Sequence, residues 1–345
     1  MKKSNIIRNI AFFCLIGACA ALTLASPALA QAQARDPLPS FNEGPAKQAI
    51  VSFVQKVTDK SSPAYAPPGD RIATFDQDGT LWVEHPLYTQ AMFALDRVHE
   101  LAPKHPAWKT EQPFKAVLAN DREAMAGFTE QDWAKIMGAT HSGMTTEAFL
   151  KTAQDWLAKA RHPRFKRPYT ELVYQPMLEV MQYLRTNGFK TYIVTGGGQE
   201  FVRVFSEQVY GVPPEQVAGS SIATKYEYQD GNPVLMRLPK VFFIDDRAGK
   251  PMGINLFIGK RPLAAFGNSG GDREMLEWTQ AGSGARLMML VLHDDAKREY
   301  AYGPAEGLPD TKVGAFSQAL LDEAQKRNWV VISMKKDFKK VFAWE

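Results

Sequence analysis

The chain has 345 residues, of which 45% are hydrophobic and 23% charged, with 25 glycines, 22 prolines, two cysteines and a formal net charge of +4. This is the composition of a globular protein, and it excludes disordered, collagen-like and disulfide-rich chains. The length predicts two domains, or one domain with a large insertion, at roughly 150 residues per domain. Four excess positive charges are too few to indicate a nucleic-acid partner.

The N-terminus has the three parts of a secretory signal peptide. A positive region at 2–8 is followed by an apolar run from 10 to about 24 and by the small-x-small cleavage pattern Ala28-Leu29-Ala30. Because the apolar run is shorter than the roughly 20 residues that span a bilayer, we expect cleavage after Ala30. The lysine-rich start is typical of bacteria, so the expected location is periplasmic or secreted. Lipoprotein processing at Cys19 is the minor alternative.

Cleavage after Ala30 changes both the charge and the thiol content. Residues 1–30 contain three basic side chains and no acidic ones, so the net charge becomes 4 − 3 = +1 over the remaining 345 − 30 = 315 residues. Cys14 and Cys19 both lie in the removed segment. The remaining chain has no thiol, which excludes disulfides, zinc–thiolate sites and cysteine nucleophiles. It also has no segment apolar enough to predict stable insertion into a membrane.

The predicted elements after residue 30 begin with an N-terminal extension at 31–70. The extension contains a helix at 46–57, and a buried strand follows at 71–75. From 90 to 167 the apolar spacing is helical throughout, which predicts an all-helical insertion at 91–167.

Helices and strands alternate in the rest of the chain. In order, we predict a helix at 176–187, a strand at 189–194, a helix to about 209, a β-hairpin at 226–243, a short helix at 250, a strand at 263–266, a helix at 272–278, a strand at 287–292, a helix near 316–327 and a strand at 329–334. This alternation predicts an α/β fold with a doubly wound parallel sheet. Residues 71–90 and 168–345 would form its core.

Three of the predicted strands end in polar, chemically capable residues. These are Asp76 and Asp78 after the first strand, Thr195 and Gly196 after the second, and Asn268 and Asp272 after the third. Ligands of open parallel sheets bind beyond the carboxyl ends of the strands, so we expect these residues to meet there. A lysine, either Lys250 or Lys260, precedes the third of these strands.

The chemistry of this set suits phosphoryl transfer. Two carboxylates beside a phosphate dianion need a divalent cation, and oxygen ligands favour Mg²⁺. Asp76 would attack phosphorus to form an aspartyl-phosphate, while Asp78 would protonate the leaving oxygen and then activate water. The Thr195 hydroxyl, backbone amides and a lysine would neutralise charge on the transferred group.

Four further residues are assigned to substrate binding: Gly79, Thr80, Gly196 and Glu84. Gly79 lets the chain turn sharply away from its strand and leaves amides open to phosphate. Glu84 follows the two aspartates closely enough to face the substrate. Trp82, which precedes Glu84 by two residues, is interpreted as packing between the core and the insertion.

These residues also resemble a known family. Asp76-Gln77-Asp78-Gly79-Thr80 after an apolar strand resembles motif I of the haloacid dehalogenase-like (HAD) superfamily, phosphatase branch. Thr195 resembles motif II, and 267–272 resembles motif IV. The resemblance covers about residues 70–280 and is strongest to phosphoserine-phosphatase-like and exported acid or phosphorylcholine phosphatases. It implies a Rossmann-like core, Mg²⁺, and a helical cap of the C1 type at the position of the insertion.

The sequence departs from the family pattern in motif IV, which usually begins Gly-Asp and here has Asn268. An amide oxygen can bind Mg²⁺ without charge, so Asp272 is the preferred acidic metal ligand beside the motif I aspartates, and Asn268 is secondary. Motif III is a single lysine. Lys250, which would open the helix before the last catalytic strand, is favoured over Lys260.

Other interpretations of these residues are weaker. An EF-hand loop starting at Asp76 would need Glu at its twelfth position, where the sequence has Leu87. The adjacent acids Asp245 and Asp246 fit a loop between the hairpin and the next helix. The six histidines show no zinc-binding spacing.

The sequence therefore predicts an exported Mg²⁺-dependent phosphomonoesterase that hydrolyses a small phosphate monoester and has no nucleic-acid partner. It carries no signal for an oligomeric state. The alternatives are a phosphonate or carbon–halogen hydrolase of the same superfamily, and a non-catalytic exported binding protein. A dehalogenase needs neither Mg²⁺ nor the acid Asp78, and a binding protein would not need motif I intact, so the Asp76/Asp78 pair argues against both.

Overall fold

The structure is a computed structural model that describes residues 36–345. The predicted signal peptide and both cysteines lie outside the described residues. Within 36–345, no helix combines the length and apolar character needed to cross a membrane.

Seven strands form one sheet in the order β4-β3-β2-β1-β5-β6-β7. The strands are β1 (Ile72–Phe75), β2 (Lys190–Gly198), β3 (Val217–Gln229), β4 (Asn232–Phe243), β5 (Ala264–Gly267), β6 (Leu287–Leu292) and β7 (Val330–Ser333). Neighbouring strands are parallel except for the antiparallel pair β3 and β4. The predicted α/β fold with a mostly parallel sheet is confirmed.

The described residues also form thirteen α-helices, several of which pack on the two faces of this sheet. They are α1 (Pro45–Thr58), α2 (Thr89–Leu101), α3 (Phe114–Leu118), α4 (Arg122–Ala126), α5 (Glu130–His141), α6 (Thr146–Lys159), α7 (Gln175–Thr186), α8 (Gln199–Arg203), α9 (Ser206–Tyr210), α10 (Gly249–Gly253), α11 (Arg273–Gln280), α12 (Gln318–Lys326) and α13 (Met334–Asp337). Along β6, Met289 joins the buried cluster that contains α1 and α7, whereas Leu290 joins the cluster of α11 and α12. This alternation follows from the two-residue period of a strand, and it explains why β6 is apolar throughout.

The predicted helical run is observed as α2–α6, and among the described elements no strand lies between β1 and β2. Apolar residues of this run, including Val98, Trp108 and Ile136, form a buried cluster separate from the two clusters on the sheet. The division of the chain into a core and a C1-type cap stays a prediction.

The β-hairpin begins earlier than predicted. Its first strand starts at Val217 rather than Tyr226, because 217–220 pair in parallel with β2 before the strand continues into the hairpin. The turn lies at Asp230 and Gly231, whose φ angles of 50° and 80° suit a tight hairpin turn. The helix predicted up to about 209 is instead two short helices, α8 and α9.

The register of the central strands brings the predicted site together. Phe75 at the end of β1 is opposite Ile193 of β2 and Phe266 of β5. The backbone N–H of Asp76 donates to the carbonyl of Phe266 at 2.9 Å, which ties the first residue after β1 to β5. The polar residues that follow β1, β2 and β5 therefore meet at one edge of the sheet.

Candidate active site

Lys250 stands at the centre of this edge and is 2% exposed. Its Nζ donates to Asp76 Oδ1 at 2.6 Å, to Asp272 Oδ1 at 2.7 Å and to the carbonyl oxygen of Val194 at 2.9 Å. An ammonium group has three protons, so these three acceptors fix its position completely. Burial lowers the pKa of Lys250, but the charges of Asp272 and Asp76 outweigh burial and raise it overall, so the side chain stays charged.

The other candidate lysine lies elsewhere. Lys260 is exposed and donates to Asp70 Oδ1 and to the carbonyl oxygen of Gly69, both at 2.8 Å. The structure therefore brings Lys250, the favoured lysine, to the aspartates, and leaves Lys260 outside the site.

Asp272 organises motif IV through both of its carboxylate oxygens. Oδ1 accepts from Lys250, and Oδ2 accepts from the backbone N–H groups of Asn268 and Ser269 at 2.9 and 3.0 Å. With both oxygens occupied by donors of the chain, Asp272 holds Lys250 and this loop in place. Asn268 Oδ1, in comparison, accepts only from the Thr80 hydroxyl at 3.2 Å. The preference for Asp272 over Asn268 as the metal ligand stays a prediction.

The two aspartates of motif I differ in their surroundings. Burial and the charge of Asp272 raise the pKa of Asp76 well above its usual range, against the opposing effect of Lys250. Burial raises the pKa of Asp78 to about 6, although its Oδ1 accepts a hydrogen bond of 2.6 Å from Trp82 Nε1. Trp82 is also buried and stacks on Phe205, with ring centroids 4.7 Å apart, while its predicted place between the core and the insertion stays a prediction. The bond of Trp82 to Asp78 was not predicted, although the spacing of four residues was an available signal.

The C-terminal end of β2, which extends past the predicted strand end to Gly198, closes another side of the site. Thr195 is buried, and its Oγ1 accepts from the backbone N–H of Gly197 at 3.0 Å. A Cβ atom at Gly197 would lie 3.7 Å from Asp78 Oδ2, so this backbone runs directly beside that carboxylate. A Cβ at Gly196 would lie 3.7 Å from Asp246 Oδ1, which places at the rim of the site an acid that the sequence assigned to an ordinary loop.

Thr80, Asn268 and Glu84 form a chain of hydrogen bonds beneath motif I. Thr80 Oγ1 donates to Asn268 Oδ1 at 3.2 Å, and Asn268 Nδ2 donates to Glu84 Oε1 at 2.7 Å. The Tyr302 hydroxyl donates to the same oxygen of Glu84 at 2.8 Å. Burial, followed by the charges of Asp78 and Asp76, raises the pKa of Glu84 well above its usual range. Glu84 therefore contacts motif IV, and its predicted contact with substrate stays a prediction.

A buried histidine supports motif I from below. His293 Nε2 lies 2.7 Å from the carbonyl oxygen of Gly79, and His293 Nδ1 lies 3.0 Å from Glu299 Oε2. Both side chains of this pair are at most 1% exposed. The sequence shows no zinc-binding spacing among the histidines and gave no indication that His293 contacts motif I, although His293 directly follows β6 at the edge where the other site residues lie.

The charges of the site fit a divalent cation. If all four were ionised, Asp76, Asp78, Asp272 and Glu84 would carry four negative charges against the single positive charge of Lys250, which gives −4 + 1 = −3. Burial disfavours that state, and the raised pKa values of Asp76, Asp78 and Glu84 reflect it. Buried carboxylates without positive partners are costly, and oxygen donors suit Mg²⁺. No group of three or more His, Cys, Asp or Glu side chains within 36–345 is arranged to hold a metal. The predicted metal ligands Asp76, Asp78, Asp272 and Asn268 offer oxygen donors of the kind that Mg²⁺ takes, and their role as ligands stays a prediction.

Asp245, next to the site, generates a prediction about pH and stability. It is fully buried, neither carboxylate oxygen has a hydrogen-bond partner, and burial raises its pKa from 3.8 to about 7. Because the folded pKa exceeds the unfolded one, the charge costs nothing below pH 4, and the cost grows until about pH 7. We expect Asp245→Asn to match the wild type at pH 4 and to exceed its free energy of unfolding at pH 8, by up to about 4 kcal/mol.

Urea unfolding at pH 4, 6 and 8 measures this difference. Asp322→Asn, on the exposed side of α12, is the control and should change stability little at any pH. A difference between Asp245→Asn and the wild type that does not vary with pH would contradict the predicted cost of the buried charge.

Comparison with known proteins adds one family and several distant structural relatives. A family model described as haloacid dehalogenase-like hydrolase matches residues 73–277. No curated protein matches the chain. Among solved structures, a protein of unknown function from Bordetella pertussis Tohama I is similar, with 18% identity over 76% of this chain and 97% of that chain and a TM-score of 0.45.

Two further solved structures are similar at the same distant level. A phosphoserine phosphohydrolase-like protein from Francisella tularensis shows 16% identity over 65% of this chain and 88% of that chain, with a TM-score of 0.36. A probable phosphoserine phosphatase from Vibrio cholerae shows 12% identity over 71% of this chain and 62% of that chain, with a TM-score of 0.37.

Proposed function

The chain belongs to the haloacid dehalogenase-like hydrolase family, and from this premise we propose that it is an exported, Mg²⁺-dependent phosphomonoesterase that acts through an aspartyl-phosphate. The observation that carries the proposal is the position of the buried Asp76 and the partly buried Asp78, two carboxylates of different environment, beside the fixed ammonium group of Lys250. Such a site offers a nucleophile, a proton carrier and a positive charge within one small volume.

Asp76 is the nucleophile of this proposal. Its Oδ1 is held by Lys250, whereas the nearest donor to its Oδ2 is the Thr80 hydroxyl at 3.5 Å, at the outer limit of a hydrogen bond. Oδ2 is therefore the oxygen that is free to attack. It forms a bond to phosphorus while the bond between phosphorus and the ester oxygen breaks, and the bond electrons leave with that oxygen.

Asp78 carries the proton in both halves of the reaction. Trp82 holds its Oδ1, so Oδ2, which lies beside the Gly197 backbone, faces the reacting group. In the first half Asp78 protonates the leaving oxygen. In the second half it takes a proton from the water that attacks phosphorus, which releases phosphate and regenerates Asp76. A pKa of about 6 keeps both protonation states accessible near neutral pH.

The loops around these aspartates bind the phosphate group in the proposal. The Gly196 backbone amide and the Thr195 hydroxyl would donate to its oxygens. The predicted substrate-binding residues Gly79 and Thr80 instead use their backbone N–H groups within the chain, where these donate to the carbonyls of Trp82 and Gln77 at 2.9 and 3.2 Å. Gly79 has φ of +74°, and a side chain there would also overlap Asn268 and Glu84, so only glycine suits this turn. The charge of Lys250 offsets charge that develops on the transferred group.

The proposed cation is Mg²⁺, held by Asp76, Asp78 and the amide oxygen of Asn268. When bound, it would neutralise phosphate charge and help to stabilise the transition state. The substrate class is a small phosphate monoester, because a helical cap over the site would exclude a polymer. The alternative, a phosphonate or carbon–halogen hydrolase, is less well supported, because such a reaction depends less on Asp78 as a general acid.

Replacing the nucleophile tests the covalent mechanism. We expect Asp76→Asn to lower the turnover of p-nitrophenyl phosphate roughly 10³-fold or more, since an amide cannot replace the carboxylate as nucleophile. Asp70→Asn, at the exposed partner of Lys260, is the matched control and should keep full activity. Circular dichroism checks that both variants fold. Substantial turnover by folded Asp76→Asn would rule out the aspartyl-phosphate.

Metal removal tests the cofactor. We expect EDTA to abolish p-nitrophenyl phosphate hydrolysis and added Mg²⁺ to restore it, because the buried carboxylates repel a phosphate dianion unless their charge is neutralised. Ca²⁺ at the same concentration is the control ion, since its larger size and looser geometry suit this role poorly. Full activity in EDTA would remove Mg²⁺ from the proposal.

Export is tested on protein produced in a bacterial host. We expect periplasmic protein whose intact mass and N-terminal sequence begin at Gln31, because cleavage follows Ala30. Cys19→Ser should leave processing unchanged. A mature protein that begins at Cys19, or processing that Cys19→Ser blocks, would favour the lipoprotein alternative instead.

A further inference from the structure

Glu84 is a buried acid without a positive partner. It is 2% exposed, and within 36–345 no lysine, arginine or histidine forms an ion pair with it. Its two donors, Asn268 Nδ2 and the Tyr302 hydroxyl, are both neutral and both reach Oε1. Neutral hydrogen bonds do not repay the burial of a full charge. A charged Glu84 therefore requires a bound cation, because residues 36–345 provide no positive partner for it.

The backbone is built to admit this carboxylate. The N–H of Gly79 donates to the carbonyl of Trp82 at 2.9 Å, and this turn brings residue 84 back beneath Gly79. A Cβ atom at Gly79 or at Gly314 would overlap the carboxylate of Glu84. Glycines in two separate segments, Gly79 and Gly314, therefore leave the space that the Glu84 carboxylate occupies beside motif I.

The contact with Glu84 determines which way the Asn268 amide points. Because Nδ2 donates to Glu84, Oδ1 must face the opposite way, where it accepts from Thr80 Oγ1 at 3.2 Å. That hydroxyl oxygen lies 3.5 Å from Asp76 Oδ2. The amide oxygen is therefore turned toward the nucleophile. A carboxylate behind the amide N–H also increases the negative charge on its oxygen, as acids behind metal ligands do.

We propose that Glu84 and Asn268 act together as one anionic ligand of the cation site: Asn268 presents its amide oxygen, and Glu84 orients that amide and supplies the negative charge. Glu84 is a positioning residue in this arrangement and does not touch the cation. The inference rests on the proposed Mg²⁺-dependent function, and it deepens that function by assigning to Glu84 the orientation and the charge of the third ligand, Asn268.

Mg²⁺ titration of EDTA-stripped protein by calorimetry tests the pair. We expect Glu84→Gln to weaken Mg²⁺ binding roughly 10–100-fold, the usual effect of removing a partner behind a metal ligand. The double variant Glu84→Gln with Asn268→Asp should recover the affinity, because the charge moves to position 268 and the new glutamine amide donates to it. Glu179→Gln, whose carboxylate binds Ser40, is the matched control and should leave affinity unchanged.

Thermal unfolding separates this role from simple packing. Glu84→Gln removes an uncompensated charge, so the metal-free variant should melt at or above the temperature of the metal-free wild type, and Mg²⁺ should raise its melting temperature less. A glutamate that only packs would instead lower the melting temperature equally with and without Mg²⁺. If Glu84→Gln does not fold, Asn268→Asp replaces it. Two touching carboxylates should then destabilise the metal-free protein, and Mg²⁺ should restore more stability than in the wild type.

The outcomes distinguish the two proposals. A wild type that binds Mg²⁺ while Glu84→Gln binds it equally well overturns the paired ligand and leaves the phosphomonoesterase standing. A double variant as weak as Glu84→Gln also overturns it. A wild type that binds no Mg²⁺ overturns the cation site of the proposed function, and the paired ligand with it.

Discussion

The buried ion pairs of Lys250 are the interaction on which the site depends. One ammonium group joins Asp76 after β1, Asp272 after β5 and a carbonyl of β2, so three neighbouring strands are tied together where they end. Breaking such a network by removing one partner leaves a buried charge uncompensated and is strongly destabilising. The same contacts leave Oδ2 of Asp76 free of the lysine and occupy Oδ1 of Asp272, whose Oδ2 accepts from the backbone N–H groups of Asn268 and Ser269.

The one positive charge of Lys250 cannot neutralise Asp76, Asp78 and Glu84 together. The excess of acidic groups lowers stability, and the proposed function uses the same groups. Burial raises the pKa values of Asp76, Asp78 and Glu84, because a carboxylate charge is costly away from water. A cation and a phosphate group would together reduce that cost. Behind these acids, His293 and Asn268 hold the backbone and the side chains of motif I in place. The acidic centre of the site is thus held in shape by surrounding groups that are neutral or already hydrogen-bonded.

Some features of the fold were predictable because they depend on local chemistry. An apolar strand followed by Asp76 and Asp78, and the alternation of helices and strands, were sufficient for the α/β sheet and for the edge that carries the site. The start of β3 at Val217 was not predictable, because that strand changes partners from β2 to β4 and such pairing leaves no periodic signal in the sequence. Asp246 was missed for a related reason, since only the packing of loops brings it beside Gly196.

The sequence by itself determined which chemical groups follow the strands, their order along the chain and the family to which they belong. The tertiary structure decided how those groups are used. It selected Lys250 over Lys260, engaged both oxygens of Asp272, and placed Glu84 behind Asn268. The physical reason is that a residue's type and its neighbours in sequence are local properties. Which lone pairs and protons are already occupied depends on contacts between residues far apart in the chain, and these exist only after folding.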